Sequence, residues 1–367
     1  MIRVSKSIIG LEEIESVSKV LKKGFLGMGE EVLELENELS KFLNNNVICV
    51  SNGTAALQLA LQSIGLKDGD EVLVQSLTYL ASYQAISATG ARPISCDVNL
   101  DDLTIDLNDA KSKLTSKTKA IMPVHYSGSP GNLNNIYKFA KEHNLRVVED
   151  AAHAFGSMYE NKLIGSFGDI ICFSFDGIKN ITCGEGGAVV TSDQAIINKV
   201  KDLRLLAVEN DSEMRYLNKR SWDFDVKEQG WRYHMSNIMA SIGLAQLIKF
   251  STLKKKRQDI AKYYFSLLSN NINIRLLNLD FDSIVPHIFP IIIKNGTRDK
   301  IKNILLENNI QTGIHYKPNH LLSFYKSNNL TKTENIYLCL LTLPLHPDIT
   351  FEQAEYISKI IINNIDE

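Results

Sequence analysis

Short apolar segments alternate with helix-like segments from about residue 47 to residue 191, and this alternation most constrains the fold. The apolar segments are predicted to be strands at 47–50, 71–74, 92–96, 120–124, 146–149, 170–175 and 187–191. Helices are predicted between several of them, at 54–64, 78–88 and 132–143. Strands this apolar, separated by helices, indicate a mostly parallel sheet that is covered on both faces.

The pattern changes after residue 230. A long helical stretch over 236–268 is followed by predicted strands at 272–276 and 286–293 and by helices at 298–308 and 351–362. Two further helices, 11–23 and 30–43, precede the first strand. We therefore predict an α/β protein with a large domain over residues 1–245, including the N-terminal helical segment, and a smaller C-terminal α+β domain over residues 246–367.

The composition argues against several classes of function. With 40 basic and 42 acidic side chains the net charge is -2, so no nucleic-acid or membrane partner is predicted. The basic run Lys254–Arg257 is interpreted as the solvated face of a helix. The five scattered cysteines, without CxxC or HExxH motifs, indicate free thiols and no metal site. No segment approaches the roughly 18 apolar residues of a membrane span, and the N-terminus lacks a signal-like run, so we expect a cytoplasmic protein.

Ligands of open α/β sheets collect at the carboxyl ends of the strands, beside helix N-termini. This rule points to the loops that follow Val50, Val74, Val124, Glu149 and Phe175. The chain lacks the GxxxxGK[ST] and GxGxxG motifs, so neither an NTPase nor a dinucleotide-binding fold is indicated.

The first of these loops, residues 51–54, reads Ser-Asn-Gly-Thr and leads from a strand into a helix. Gly53 permits a tight turn, and the unpaired N–H groups at the start of the helix attract an anion. Taken alone, such a turn is more often an ordinary helix cap.

Asp150 stands at the end of a predicted buried strand, where a carboxylate is costly unless a cation meets it. A structural salt bridge would satisfy this carboxylate. The protonated pyridine nitrogen of pyridoxal phosphate would satisfy it too, and that contact keeps the cofactor an effective electron sink. His153, three residues later, could reach the phenolic oxygen of the same cofactor or could cap the local turn.

Lys179 follows the strand at 170–175 and is itself followed by a glycine-rich turn. A lysine that forms a Schiff base needs a partly desolvated setting in which its amine can lose its proton. Most lysines are simply exposed, but the same sheet edge carries Asp150 and the possible anion site at Gly53. This combination favours a catalytic lysine, and Ser174 could add a hydroxyl to the phosphate site.

The run FSFDGIKNITCGEGGAVVT at 173–191 resembles the active-lysine signature of the DegT/DnrJ/EryC1/StrS aminotransferases, the sugar-nucleotide branch of the fold-type I pyridoxal-phosphate enzymes. The similarity covers nearly the whole chain. It extends through SNGTAALQLAL at 51–61, GDEVLVQSLTYLAS at 69–82, VVEDAAHAFGS at 147–157, RYHMSN at 232–237 and GIHYKPNH at 313–320. The resemblance implies a fold-type I, mostly parallel, seven-stranded sheet and the cofactor pyridoxal 5'-phosphate.

The resemblance also implies roles for individual residues. Lys179 and Asp150 would be catalytic, the lysine as the Schiff-base former and proton carrier and the aspartate at the ring nitrogen. Tyr79 would stack on the ring, and His153 would lie on the side of the phenolic oxygen. The backbone N–H groups of Thr54 and Ala55, with the Ser174 hydroxyl, would bind the phosphate. The cofactor-binding residues implied in this way are Gly53, Thr54, Ala55, Tyr79, Asp150, His153, Ser174, Lys179 and Arg232, and His320 is implied at the sugar-nucleotide pocket.

Two segments depart from the family pattern, one with Arg232 and with His234 in place of the usual arginine, and the other at residues 176–177. The family usually reads GYNYRMS where residues 230–236 read GWRYHMS, so the asparagine that reaches the phosphate from the neighbouring subunit is replaced by Arg232. Arginine would make a stronger phosphate contact, although Arg232 could also be an unrelated surface residue. The other departure is Asp176-Gly177, where many relatives have His or Tyr followed by a small residue.

We therefore predict a homodimeric transaminase with shared active sites. It would pass an amino group, from L-glutamate, to a nucleotide-linked 4-keto-6-deoxyhexose, dTDP-linked, for an unusual sugar of a surface polysaccharide such as a lipopolysaccharide O-antigen. Amination at C3 is an alternative. Dehydratases of the family replace the lysine by histidine, and a non-enzymatic relative would be expected to lose Lys179 or Asp150, so both residues argue against these alternatives.

Overall fold

The structure is a computed structural model that describes residues 1–220 and 222–365. The strands in these ranges are β1 (Asn46–Val50), β2 (Glu71–Gln75), β3 (Arg92–Cys96), β4 (Thr118–Met122), β5 (Arg146–Asp150), β6 (Met158–Tyr159), β7 (Lys162–Leu163), β8 (Ile170–Ser174), β9 (Gly187–Thr191), β10 (Ile274–Leu276), β11 (Phe289–Ile293) and β12 (Leu340–Leu343). The helices are α1 (Leu11–Lys23), α2 (Glu30–Leu43), α3 (Gly53–Ser63), α4 (Leu80–Ser87), α5 (Leu107–Ser112), α6 (Leu133–Glu142), α7 (Gln194–Leu203), α8 (Asp211–Tyr216), α9 (Asn237–Ile248), α10 (Phe250–Leu268), α11 (Arg298–Glu307), α12 (Thr331–Cys339) and α13 (Phe351–Ile365).

Seven strands form the main sheet in the order β1-β9-β8-β5-β4-β2-β3. Neighbouring strands from β8 to β3 are parallel, whereas β9 is antiparallel to both β8 and β1. The carboxyl ends of β1, β2, β4, β5 and β8 therefore meet at one edge of the sheet. This arrangement confirms the prediction of a mostly parallel, seven-stranded sheet of the fold-type I class.

Helices cover both faces of this sheet, because its central strands are apolar on both sides. Every residue of β2, β8 and β9 is buried, as expected for strands inside a covered sheet. One face packs against apolar residues of α2, α6 and α9, and the other packs against α3, α4 and α7. Strand β3 lies at the edge, and the first part of it is more exposed.

The C-terminal part of the chain has its own apolar cluster. Strands β10, β11 and β12 form an antiparallel sheet, and buried residues of α10, α11 and α13 pack in one cluster with β11 and β12. The N-terminus joins this part, because Ile2 pairs with Ile310 and packs against the cluster. Helix α9 crosses residue 245, and the domain boundary there stays a prediction.

The structure divides the helical stretch that the sequence predicts over 236–268. At Lys249 the backbone leaves the helical region, with φ -95° and ψ 6°, and α9 and α10 meet there. The break lets the Phe250 ring pack 5.1 Å from the ring of Phe155. A Cβ atom on Gly156 would lie 2.1 Å from the Phe250 ring, so this close packing depends on a glycine. Within the described residues, every helix is too short or too polar to cross a membrane.

Candidate active site

A cavity of about 550 Å³ lies at the edge where the parallel strands end. The five loops that the sequence points to all contribute to its wall, through residues in 52–57, 78–81, 150–153 and 174–179 and through Val124. Eight of the predicted site residues line this cavity together: Gly53, Thr54, Ala55, Tyr79, Asp150, His153, Ser174 and Lys179.

One end of the cavity is the N-terminus of α3, next to the end of β8. The Asn52 side chain caps the helix by accepting the N–H of Ala55 at 2.8 Å, so the first-turn amides left for a ligand are those of Gly53 and Thr54. The phosphate contact predicted for the Ala55 amide is therefore not favoured, whereas that of Thr54 stays a prediction. The two elements approach closely, since a Cβ on Gly53 would lie 2.7 Å from the Cβ of Ser174. The Ser174 hydroxyl therefore lies beside these amides, and together they suit an anion such as a phosphate.

Asp150 ends β5 and is only 5% exposed. The Ser82 hydroxyl donates to its Oδ2 at 2.7 Å, and the Ala152 N–H donates to its Oδ1 at 3.2 Å. Both donors are neutral, so they orient the carboxylate without cancelling its charge. A buried carboxylate held in this way is suited to a cationic group of a bound ligand.

Lys179 lies at the end of a turn that follows β8, and its backbone N–H donates to the Asp176 carbonyl at 3.0 Å. Burial lowers the pKa of its amine from 10.5 to about 8. The charges of Asp150 and Asp176 act in the opposite direction, while the Arg257 guanidinium lowers the pKa further. A larger fraction of this amine is therefore uncharged near neutral pH than of an ordinary lysine, as a nucleophilic lysine requires.

Arg257 of α10 holds the turn that carries Lys179 by hydrogen bonds to backbone carbonyls. It is 2% exposed and donates to the carbonyls of Ile178, at 3.3 Å, and His287, also at 3.3 Å. Burial lowers the pKa of the guanidinium to about 10. The interpretation of the run 254–257 as a solvated face is therefore wrong for Arg257, because this position turns toward the core while Lys255 and Lys256 remain exposed.

Aromatic and imidazole side chains form another part of the wall. His287, His315 and Tyr316 enter it from the C-terminal part of the chain. Tyr316 lies beside Tyr79, with ring centroids 5.7 Å apart, and its hydroxyl lies 3.0 Å from Nε2 of His153. The sequence analysis did not predict these three residues. His315 and Tyr316 fall within the GIHYKPNH motif, so the motif itself could have identified them as candidates.

His320 of the same motif does not line the cavity. It is 1% exposed, with Nδ1 2.7 Å from the Ser76 hydroxyl and Nε2 3.2 Å from a carboxylate oxygen of Glu334. These contacts fasten the segment after β2 to the C-terminal part of the chain. His320 therefore lies behind the cavity wall, a position that does not favour a direct contact with the substrate. Such a contact stays a prediction.

Arg232 also lies outside the cavity. It lines a separate, smaller pocket together with Arg215, Arg220, Trp222 and His234. Burial and then the charge of Arg232 lower the pKa of His234 to about 4, so this imidazole is neutral and the positive charge of the pocket comes from arginines. Asp211 also lines the pocket and accepts from Arg215 at 3.0 Å, which offsets one of the arginine charges. The role of Arg232 at a partner's phosphate stays a prediction.

The family model of the DegT/DnrJ/EryC1/StrS aminotransferases matches residues 7–362 of this chain. An uncharacterised protein of Methanocaldococcus jannaschii is 34% identical over 97% of this chain and 96% of its own length. Among solved structures, Helicobacter pylori PseC, an aminotransferase involved in the biosynthesis of pseudoaminic acid, superposes with a TM-score of 0.91 at 27% identity and covers 99% of this chain and 98% of its own. NtdA of Bacillus subtilis, solved with bound cofactor PMP, gives a TM-score of 0.87 at 28% identity and covers 98% and 83%.

The chain therefore belongs to the DegT/DnrJ/EryC1/StrS aminotransferase family. It is a transaminase, and its cofactor is pyridoxal 5'-phosphate, as the sequence predicts. The cavity fits this cofactor in three respects: the close approach of Gly53 to Ser174 forms an anion cradle, the buried Asp150 has only neutral hydrogen-bond donors among the described residues, and Lys179 has a lowered pKa.

Proposed function

We propose that this transaminase takes an amino group from L-glutamate and passes it to a nucleotide-linked 4-keto-6-deoxyhexose, dTDP-linked and aminated at C4. The product would enter an unusual sugar of a surface polysaccharide. The observation that carries the proposal is the meeting of Lys179, Asp150 and the Gly53 turn in one cavity of a chain from this family. The role of PseC in pseudoaminic acid biosynthesis supports a sugar as the amino acceptor.

Each side chain has a distinct task in this proposal. When bound, the cofactor supplies an electron sink for the carbon that exchanges the amino group. Asp150 holds the proton on the ring nitrogen, and Ser82 keeps the carboxylate in place. The Lys179 amine would hold the cofactor covalently and would take and return the proton at the reacting carbon. The amides of Gly53 and Thr54 bind the phosphate.

Two carboxylates in the wall support a hydroxyl-rich acceptor. Asp176 and Glu185 both face the cavity, and burial, followed by the charge of Asp176, raises the pKa of Glu185. Carboxylates accept hydrogen bonds from hydroxyl groups, and a hexose offers several such donors. Asp176, which replaces the His or Tyr of many relatives, is therefore the residue that we propose to contact the sugar.

We further propose that two copies of the chain share their active sites, with Arg232 reaching the cofactor phosphate of the partner. In this arrangement the arginine pocket of one subunit would complete the cradle that Thr54 and Ser174 begin in the other. A guanidinium and a phosphate form a charge-assisted and often bidentate pair. The scattered free cysteines agree with the cytoplasm as the location of this dimer.

The direct test is to incubate the purified protein with the dTDP-linked 4-keto-6-deoxyhexose and glutamate. We expect formation of 2-oxoglutarate and of a sugar whose amino group NMR locates at C4. An amine at C3 would replace the proposed regiochemistry, and no reaction with any nucleotide-linked ketosugar would overturn the substrate class.

The lysine is tested with a matched pair of variants. Lys179→Ala should abolish turnover, and borohydride reduction of the wild-type protein should fix the mass of the cofactor onto Lys179. Lys254→Ala is the control, because Lys254 is also partly buried but donates to the Gly156 carbonyl outside the cavity. Turnover by Lys179→Ala at the rate of Lys254→Ala would contradict the assignment.

A further inference from the structure

Tyr316 and His153 form a pair at the cavity wall. The Tyr316 hydroxyl and Nε2 of His153 lie 3.0 Å apart, and both residues line the cavity. His153 is 4% exposed and follows β5, whereas Tyr316 comes from the segment between α11 and α12. The ring of His287 packs against that of His153, with centroids 4.4 Å apart, so the imidazole is held on several sides.

The direction of the hydrogen bond follows from the other nitrogen of His153. Nδ1 is buried and has no hydrogen-bond partner among the described residues. Burial, and then the nearby charge of Lys179, lowers the pKa of His153 well below 6.5, so the ring is neutral and carries one proton. A proton on Nδ1 would leave a buried N–H unpaired, which is rarer in proteins than an unpaired acceptor. The favoured arrangement therefore has Nε2–H donating to the Tyr316 oxygen.

In this arrangement the Tyr316 O–H has to be donated elsewhere. Burial, and then the charge of Asp150, raises the pKa of Tyr316, so the hydroxyl keeps its proton at any working pH. The groups that act on the pair from neighbouring elements are Tyr79, His125, Asp150, Asp176, Lys179, His287 and His315. Tyr316 lines the cavity, so a bound ligand can offer the acceptor that its hydroxyl needs.

We propose that Tyr316 donates its hydroxyl hydrogen to the phenolic oxygen of the cofactor, and that His153 is the positioning residue that holds this hydroxyl. The proposal rests on the proposed function, in which Asp150 would hold the ring nitrogen, and on the side of the phenolic oxygen that the family resemblance implies for His153. The contact that the sequence assigns to His153 would then be made through Tyr316.

The expected consequence is spectroscopic and does not depend on turnover. A donor to the phenolic oxygen stabilises its deprotonated form and so lowers the pH at which the absorption of the bound cofactor changes. Tyr316→Phe keeps the ring but removes the donor, so this pH midpoint should rise by roughly half a unit to one unit. Cofactor affinity should fall by less than about tenfold, because the phosphate and ring-nitrogen contacts remain.

A double-mutant cycle separates the pair from two independent contacts. His153→Ala alone should raise the midpoint, but adding it to Tyr316→Phe should produce no further rise. Tyr126→Phe is the control, because it also removes a buried tyrosine hydroxyl near His153. This hydroxyl donates to the His315 carbonyl and not to His153.

Three results would overturn the inference. The first is a pH midpoint that Tyr316→Phe leaves unchanged. The second is that His153→Ala raises the midpoint equally in the wild type and in Tyr316→Phe. The third is that Tyr126→Phe raises the midpoint as much as Tyr316→Phe does. A wild-type protein without cofactor absorption would instead refute the placement of the cofactor in this cavity. The failure of the pair and the failure of the proposed site are therefore distinguishable.

Discussion

Asp150→Asn removes one negative charge from the site and leaves its shape almost unchanged. The asparagine amide can keep its oxygen toward the Ala152 N–H, since that donor cannot turn. Its NH₂ group then faces Ser82, whose hydroxyl can rotate to accept it and still lies 2.9 Å from the Thr78 hydroxyl. The local hydrogen bonds can thus be rebuilt, and we expect little change in the melting temperature of the cofactor-free protein.

The loss of the charge should appear in binding and catalysis. A hydrogen bond with a charged partner contributes about 1.5–3 kcal/mol, so the affinity for pyridoxal phosphate should fall by about ten- to a hundredfold. The ring nitrogen would also lose the group that keeps it protonated, and the turnover number at saturating cofactor should fall by at least about 10²-fold.

The assay is an absorbance titration of cofactor-stripped protein, followed by transamination at saturating cofactor. Ser82→Ala is the matched control, because it removes one neutral donor from Asp150 and keeps the charge. We expect this control to lose about tenfold or less in affinity. If Asp150→Asn stays within a few-fold of wild type in both measurements, the carboxylate is structural and the ring nitrogen lies elsewhere.

Three further predictions follow from the same geometry. Gly53→Ala should weaken cofactor binding by about five- to a hundredfold, because its Cβ would lie 2.7 Å from that of Ser174 and overpacking costs about 1–3 kcal/mol. Gly27→Ala is the control and should bind normally, since an added Cβ there meets no described atom within 4 Å. The rate at which cofactor-stripped protein takes up pyridoxal phosphate should rise with pH around a midpoint of about 8, since the amine of Lys179 reacts only when deprotonated; a rate that keeps rising beyond pH 10 would contradict the lowered pKa. Arg232→Ala and Lys179→Ala should restore activity when co-refolded into mixed dimers; activity at the level of the separate variants, despite proven subunit exchange, would exclude a contact across the dimer.

The part of the cavity wall that the strand ends form could be predicted from sequence because its parts are local. Each part stands at the end of an apolar strand that the sequence marks clearly, and the ends of parallel strands must meet at one edge of the sheet. The predicted bounds of β3 and β9 agree with the structure at both ends, and those of β1 and β5 differ by one residue at one end. The proximity of Asp150 and Lys179 could therefore be predicted without predicting how distant segments pack.

Arg257 shows what this approach missed and how it could have been found. Composition alone places it in a basic run, but its position in α10 follows Leu253 by four residues and precedes Ile260 and Tyr264 by three and seven. This spacing puts Arg257 in the middle of the buried apolar stripe of the helix. A charged residue within such a stripe needs buried acceptors, and the Ile178 carbonyl is one of them.

The remaining wall depends on how distant segments pack, and for that reason the sequence shows the chemistry more clearly than the substrate. His287 follows the turn before β11, Tyr316 lies between α11 and α12, and Glu185 precedes β9, so no local spacing links them. Arg257 joins these segments mechanically, since it donates both to the lysine turn and to the His287 carbonyl. The C-terminal part of the chain therefore supplies part of the cavity wall and also holds the turn that carries Lys179.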